Sequence, residues 1–124
     1  MKQLFVVFLG GGLGTVARYG LSGAVHRVVN GQFPYGTMTV NVLGCLVIGF
    51  LMSFFADRFV INPSLRLFLT LGFLGGFTTY SSFSYETLQL FQDGEDFYAC
   101  VNILVTTFSC LAATWFGSMV GKQL

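Results

Sequence analysis

Residues 72 to 84 read Gly-Phe-Leu-Gly-Gly-Phe-Thr-Thr-Tyr-Ser-Ser-Phe-Ser, near the middle of an apolar segment. Paired glycines weaken a helix, and hydroxyls such as those of Thr78, Thr79, Ser81, Ser82 and Ser84 can take up backbone groups that a break releases. Irregular backbone at membrane depth persists only where protein buries it or a wet cavity meets it, and broken membrane helices often turn freed carbonyls toward a cation. The same residues also suit an unbroken helix whose hydroxyls bond back to the preceding turn. Tyr80 and Phe83 are three apart, so on a helix they share a face. An aromatic ring is positive at its edge, and two such edges could line a path for an anion. In a chain with 15 phenylalanines, the pair could equally pack against a neighbouring helix.

Polar residues recur at helical spacing elsewhere. Asn102, Thr106, Cys110 and Thr114 are four apart and lie near one face, with Ser109 beside them; Thr37 and Asn41 share the spacing, with Thr39 nearby. Such stripes either pair membrane helices or line a polar path. Two charges, Arg18 and Glu86, fall inside apolar segments. An intramembrane charge costs a few kcal/mol and is a functional candidate. Both sit near enough to a segment end to act as interfacial anchors or as parts of an ion entry, and a cation such as Arg18 suits an anion vestibule.

Enzyme chemistry finds no support. Gly10-Gly11-Gly12-Leu13-Gly14 lacks the third glycine and the acid of a dinucleotide turn, and no Lys-Ser/Thr follows it as in a phosphate-binding loop. The single histidine, His26, falls in a connection, so no nucleophile has an evident base. Cys45, Cys100 and Cys110 stand apart in apolar segments without CxxC spacing, so neither a disulfide framework nor a zinc site is indicated, and they read as small apolar fillers.

The elements that must position these residues are four apolar stretches, at about 4–25, 35–56, 65–91 and 97–121. Each can cross roughly 30 Å of hydrocarbon, which takes about 20 helical residues. The composition agrees. Charged residues are 9% and hydrophobic residues 54% of 124, whereas a soluble domain carries about 25% charge. Six bases and five acids cannot cover a water-facing surface, and the scattered bases offer nothing to nucleic acid. The first apolar run has no A-x-A-like exit, so it is expected to stay in the protein. Asn30-Gly31 and Pro34, Asn62-Pro63, and the acidic turn around Gly94 mark short connections, which make sequential helices antiparallel neighbours. With both termini in the cytoplasm, Lys2, Arg58, Arg66 and Lys122 lie inside and Arg27 outside, a modest positive-inside preference. Gly10/Gly14 and Gly72/Gly76 have the small-xxx-small spacing that lets membrane helices approach closely. The expectation is one all-α transmembrane domain over 1–124, with four helices and the third broken mid-membrane.

Along its whole length the sequence resembles the small bacterial fluoride channels called Fluc or CrcB. The matching residues are Gly10-Gly11-Gly12, Gly14 and Arg18; Gly36-Thr37 with Val40-Asn41; and the run from Gly72 to Ser84 with Glu86. The resemblance implies an antiparallel, dual-topology homodimer in the bacterial cytoplasmic (inner) membrane, with two narrow fluoride pathways. It implies a structural sodium ion at the dimer centre, held by the backbone carbonyls of Gly75 and Thr78 from both subunits. The paired phenylalanines of the family fall on Tyr80 and Phe83, and its pore asparagine on Asn41. Its polar track falls on Asn102, Thr106, Cys110 and Thr114, with Thr39, Ser81 and Ser82 near the path, and its first-helix arginine on Arg18. Tyr80 stands where phenylalanine is usual, and Cys110 where a serine hydroxyl is common; a thiol is the weaker donor.

Fluoride is small and strongly hydrated, so a pore must replace its water with donors; hydroxyls, an amide and ring edges can do so. By resemblance, fluoride that entered as the neutral acid would leave passively. Two other classes remain open. A four-helix small multidrug exporter needs a buried carboxylate in its first helix, where this chain carries Arg18. A non-transporting assembly subunit could use the same glycines and hydroxyls for packing alone.

Overall fold

The computed structural model describes residues 1–58 and 61–124, so residues 59 and 60, inside the expected connection from 57 to 64, lie outside the described residues. The described residues are helical, with no strand. The first apolar stretch forms α1 (Lys2–Val28) and the second forms α2 (Tyr35–Ala56), which starts behind Pro34. Between them Gly31 takes a φ of +148°, which a side chain would resist.

The third stretch is segmented. Asn62 caps α3 (Pro63–Leu67) by accepting from the Ser64 N–H at 2.8 Å, with Pro63 at the first helical position. The helix widens to π geometry over Phe68–Leu74 and tightens again in α4 (Gly75–Phe77). Thr78 (φ −88°, ψ 156°) and Thr79 (φ −150°, ψ 121°) are extended. α5 (Tyr80–Gln92) then begins, and a turn with Gly94 at φ +79° leads into α6 (Asp96–Gln123).

α1, α2 and α6 are each long and apolar enough to cross a membrane. No unbroken helix of the third stretch reaches that length, because the extended residues Thr78 and Thr79 divide it into the helical run 63–77 and the 13-residue α5. The chain is a multi-pass membrane protein. Its inside is thin: Val40 and Asn102 are the only large side chains fully withdrawn from the surface among the described residues. Phe8, Tyr19, Tyr80, Phe108 and Trp115 point outward, and a surface this apolar needs lipid or another chain against it.

The tightest packing joins segments that are not sequential. The hairpins α1–α2 and α5–α6 do form, but α2 lies most closely on α6, and α1 on the third segment. Glycine is the cause. A Cβ at Gly10 would stand 2.7 Å from the Phe68 carbonyl oxygen, and one at Gly76 would collide with the Gly11 carbonyl. The two small-xxx-small pairs therefore face each other. Likewise a Cβ at Gly49 would strike the Thr114 carbonyl, and one at Gly117 the Leu46 carbonyl. Contacts advance together along α2 and α6, so these helices are parallel. The rows run Gly49–Thr114 and Ser53–Ser118, the latter a hydroxyl–hydroxyl hydrogen bond between residues 65 apart. Carried back up the helices at the same offset, Asn41 stands beside Thr106 and Cys45 beside Cys110, so the two polar stripes form one seam.

Candidate functional site

An extended pair of residues inside an apolar segment releases backbone groups that must find partners. Three helices supply them. Asn41 on α2 pairs with the Thr79 backbone on both sides: its Nδ2 donates to the Thr79 carbonyl at 3.0 Å, and its Oδ1 accepts the Thr79 N–H at 2.8 Å. Arg18 on α1 donates from Nε to the Gly76 carbonyl at 3.1 Å. A guanidinium is favoured there because the end of a helix is negative. Thr78 bonds back to the Leu74 carbonyl from both its N–H and its hydroxyl, each at 3.0 Å. Thr79 caps α5, its hydroxyl accepting from the Ser82 N–H at 3.2 Å. In a continuing helix the Thr79 N–H would reach the Gly75 carbonyl; Asn41 takes it instead.

The start of α5 therefore presents its positive end at the break. Beside it lies a cavity of about 370 Å³, lined by Asn41, Cys45, Thr79, Tyr80, Phe83, Thr106, Thr107 and Cys110 among others. The Tyr80 and Phe83 rings stack at its mouth, with centroids 5.6 Å apart and planes 24° from parallel. A second cavity of about 510 Å³ holds Arg18, Ser22, His26, Thr37, Ser82 and Glu86. Thr79 lines both. In the second cavity Thr37 donates to Glu86 Oε1 at 2.7 Å, while the buried Oε2 has no partner among the described residues.

The residues singled out in the sequence divide accordingly. Asn41, Tyr80, Phe83, Thr106 and Cys110 share one cavity; Arg18, Ser82 and Glu86 share the other. Asn102 is buried outside both, in a chain that runs from the Thr106 hydroxyl to Asn102 (3.0 Å), from Asn102 to Thr87 (2.8 Å) and from Thr87 to the Phe83 carbonyl (2.7 Å). That chain fixes α6 on α5 and spends the Thr106 proton. Thr114 and Thr39 donate to carbonyls of their own helices, those of Cys110 and Tyr35, and line neither cavity. Ser81 is exposed beside the Thr79 hydroxyl at 3.3 Å. Gly75 is exposed, with open space where a Cβ would stand, and Thr78 is half-buried beside it. Carbonyls here would be neutral, hard oxygen donors, which fit a cation such as sodium better than a soft metal. Thr79, read in the sequence as a hydroxyl beside a break, and Thr37, read as part of a polar stripe, both belong with the site. Thr37 carried a signal, its four-residue spacing from Asn41.

The family model described as CrcB-like protein, Camphor Resistance (CrcB), matches residues 5–118, nearly the whole chain. The chain belongs to this family. A relative from Citrifermentans bemidjiense, described as "Fluoride-specific ion channel FluC", is 48% identical over 124 residues, the full length of both chains. One of the same description from Geotalea daltonii is 49% identical over 121 residues, covering 96% of this chain and 98% of its own. Another from Coxiella burnetii is 44% identical over 123 residues, covering 98% and 99%. This CrcB family is thus one of ion channels, not of enzymes.

Proposed function

We propose that the chain is a fluoride-selective channel that lets cytoplasmic fluoride leave passively, lowering its toxicity. One observation carries this reading above the others: the start of α5, the Asn41 amide and the stacked rings of Tyr80 and Phe83 line one cavity. Each presents positive potential without a full charge, which suits an anion that must leave again. The relatives' description as fluoride-specific channels names the anion. Arg18, Ser82 and Glu86 form the vestibule, and Thr79 stands between vestibule and ring pair.

The functional unit is an antiparallel, dual-topology homodimer in the bacterial inner membrane, with the break of the third helix at mid-membrane. The exposure of Gly75 and Tyr80 supports it, since both would otherwise present a helix break to lipid. Two copies of Gly75 and Thr78 would hold a sodium ion at the centre; it would supply positive potential and join the two broken helices. Ser81 stands near the path, while Asn102 anchors the helices around it and Thr114 and Thr39 bond within their own helices.

Growth tests the role. In a bacterial strain that lacks its own fluoride exporter, expression of the chain should restore growth in fluoride medium. The Phe83→Ile variant, expressed to the same level in the membrane, should not. Equal growth with and without the wild-type chain would overturn the proposed role.

A further inference from the structure

Three thiols are free, and two of them line one cavity. Cys45 on α2 and Cys110 on α6 stand one turn before Gly49 and Thr114, where a Cβ at Gly49 would strike the Thr114 carbonyl. Both are half-buried, and both line the cavity next to Tyr80 and Phe83. Cys100 is exposed and lines neither cavity.

We propose that Cys45 and Cys110 form a two-coordinate site for a soft, thiophilic metal ion, and that an ion held there closes the fluoride path. Thiolate sulfur selects soft ions. Among the described residues no third cysteine, histidine or carboxylate joins the pair, so tetrahedral zinc, which takes four ligands, finds no site. A linear divalent ion such as Hg2+ needs only two. On binding, two S–H bonds break, two S–Hg bonds form and two protons pass to water. The two thiolate charges cancel the 2+ of the metal, so the complex is neutral, as a low-dielectric interior requires. Occlusion rests on the proposed fluoride path; binding does not.

The probe is Hg2+ alone, added to the reduced full-length protein in a Cys100→Ser background and followed by the ultraviolet charge-transfer absorption of mercury thiolate. One ion per chain should be retained against a monothiol competitor. Cys45→Ser or Cys110→Ser should weaken retention by about 10²- to 10⁴-fold, the gain from a second tethered ligand. Retention by either serine variant equal to that of the Cys100→Ser protein would overturn the site. In liposomes, one equivalent of Hg2+ should stop fluoride efflux through the Cys100→Ser protein, and dithiothreitol should restore it. Efflux that continues with mercury bound would overturn occlusion. An absence of efflux before mercury is added counts against the channel, while the absorption titration still decides the site.

Discussion

Replacing Asn41 by alanine should damage the fold and the path together. The side chain is buried and closes two hydrogen bonds with the Thr79 backbone, at 2.8 and 3.0 Å. Alanine leaves the Thr79 N–H and carbonyl without partners in apolar surroundings. An unmet buried group costs about 1–3 kcal/mol, so the pair should cost about 2–6 kcal/mol, a large part of the 5–15 kcal/mol that holds a typical protein folded. Asn41→Asp keeps the acceptor for the Thr79 N–H and loses only the donor. The negative charge it sets against the Thr79 carbonyl should make it cost at least as much in stability and should abolish anion flux. Denaturant titration of the purified protein, followed by the fluorescence of its single tryptophan, Trp115, measures the first effect. Fluoride efflux from liposomes measures the second. If Asn41→Ala unfolds within about 0.5 kcal/mol of the native protein, the range of an indifferent surface change, Asn41 does not hold the break and the reasoning fails.

Arg18→Met should leave the Gly76 carbonyl without its donor, costing about 1–3 kcal/mol in the same titration, and should also slow fluoride entry. Gly49→Val should separate α2 from α6, because its Cβ meets the rigid Thr114 carbonyl; a loss of about 1–3 kcal/mol or failure to accumulate in the membrane is expected. Gly75→Ala meets nothing in the single chain and replaces a helical glycine, so the fold should lose no stability, while the affinity of the proposed dimer, read by subunit exchange, should fall as the new methyl enters its centre. Phe83→Ile keeps bulk but removes a ring edge from the cavity, and should lower fluoride efflux about tenfold, the equivalent of about 1.4 kcal/mol.

The all-helical membrane class was legible because composition alone rules out a water-covered surface, and because connections marked by Pro, Gly or Asn separate the apolar stretches. The helix pairing was less so. Short connections argued for sequential neighbours, but the closest approaches follow the glycines, which bring α1 to the third segment and α2 to α6. The Gly10/Gly14 and Gly72/Gly76 spacings were visible in the chain; that they face each other is a tertiary fact. At Thr78 and Thr79 the sequence allowed a break or a back-bonded helix. The structure contains both elements: Thr78 bonds back to Leu74, and the next residue is extended. What makes this possible lies far off in sequence. Asn41 is 38 positions from Thr79, and Arg18 is 58 from Gly76. Nothing local says that their side chains serve backbone groups. The π geometry over Phe68–Leu74 carried no pattern of its own, since the same apolar residues suit an α-helix. In the polar stripe on α6, four residues share a spacing but not a role, because Thr114 satisfies itself within its helix while Asn102 reaches Thr87.

The central claim is fluoride conduction by this chain alone. The direct measurement is efflux from liposomes that hold only the purified protein, loaded with fluoride and read with a fluoride electrode, beside chloride-loaded liposomes. The account predicts fast fluoride efflux with no chloride leak. Silence in both from folded, reconstituted protein, or equal flux of both anions, would contradict it.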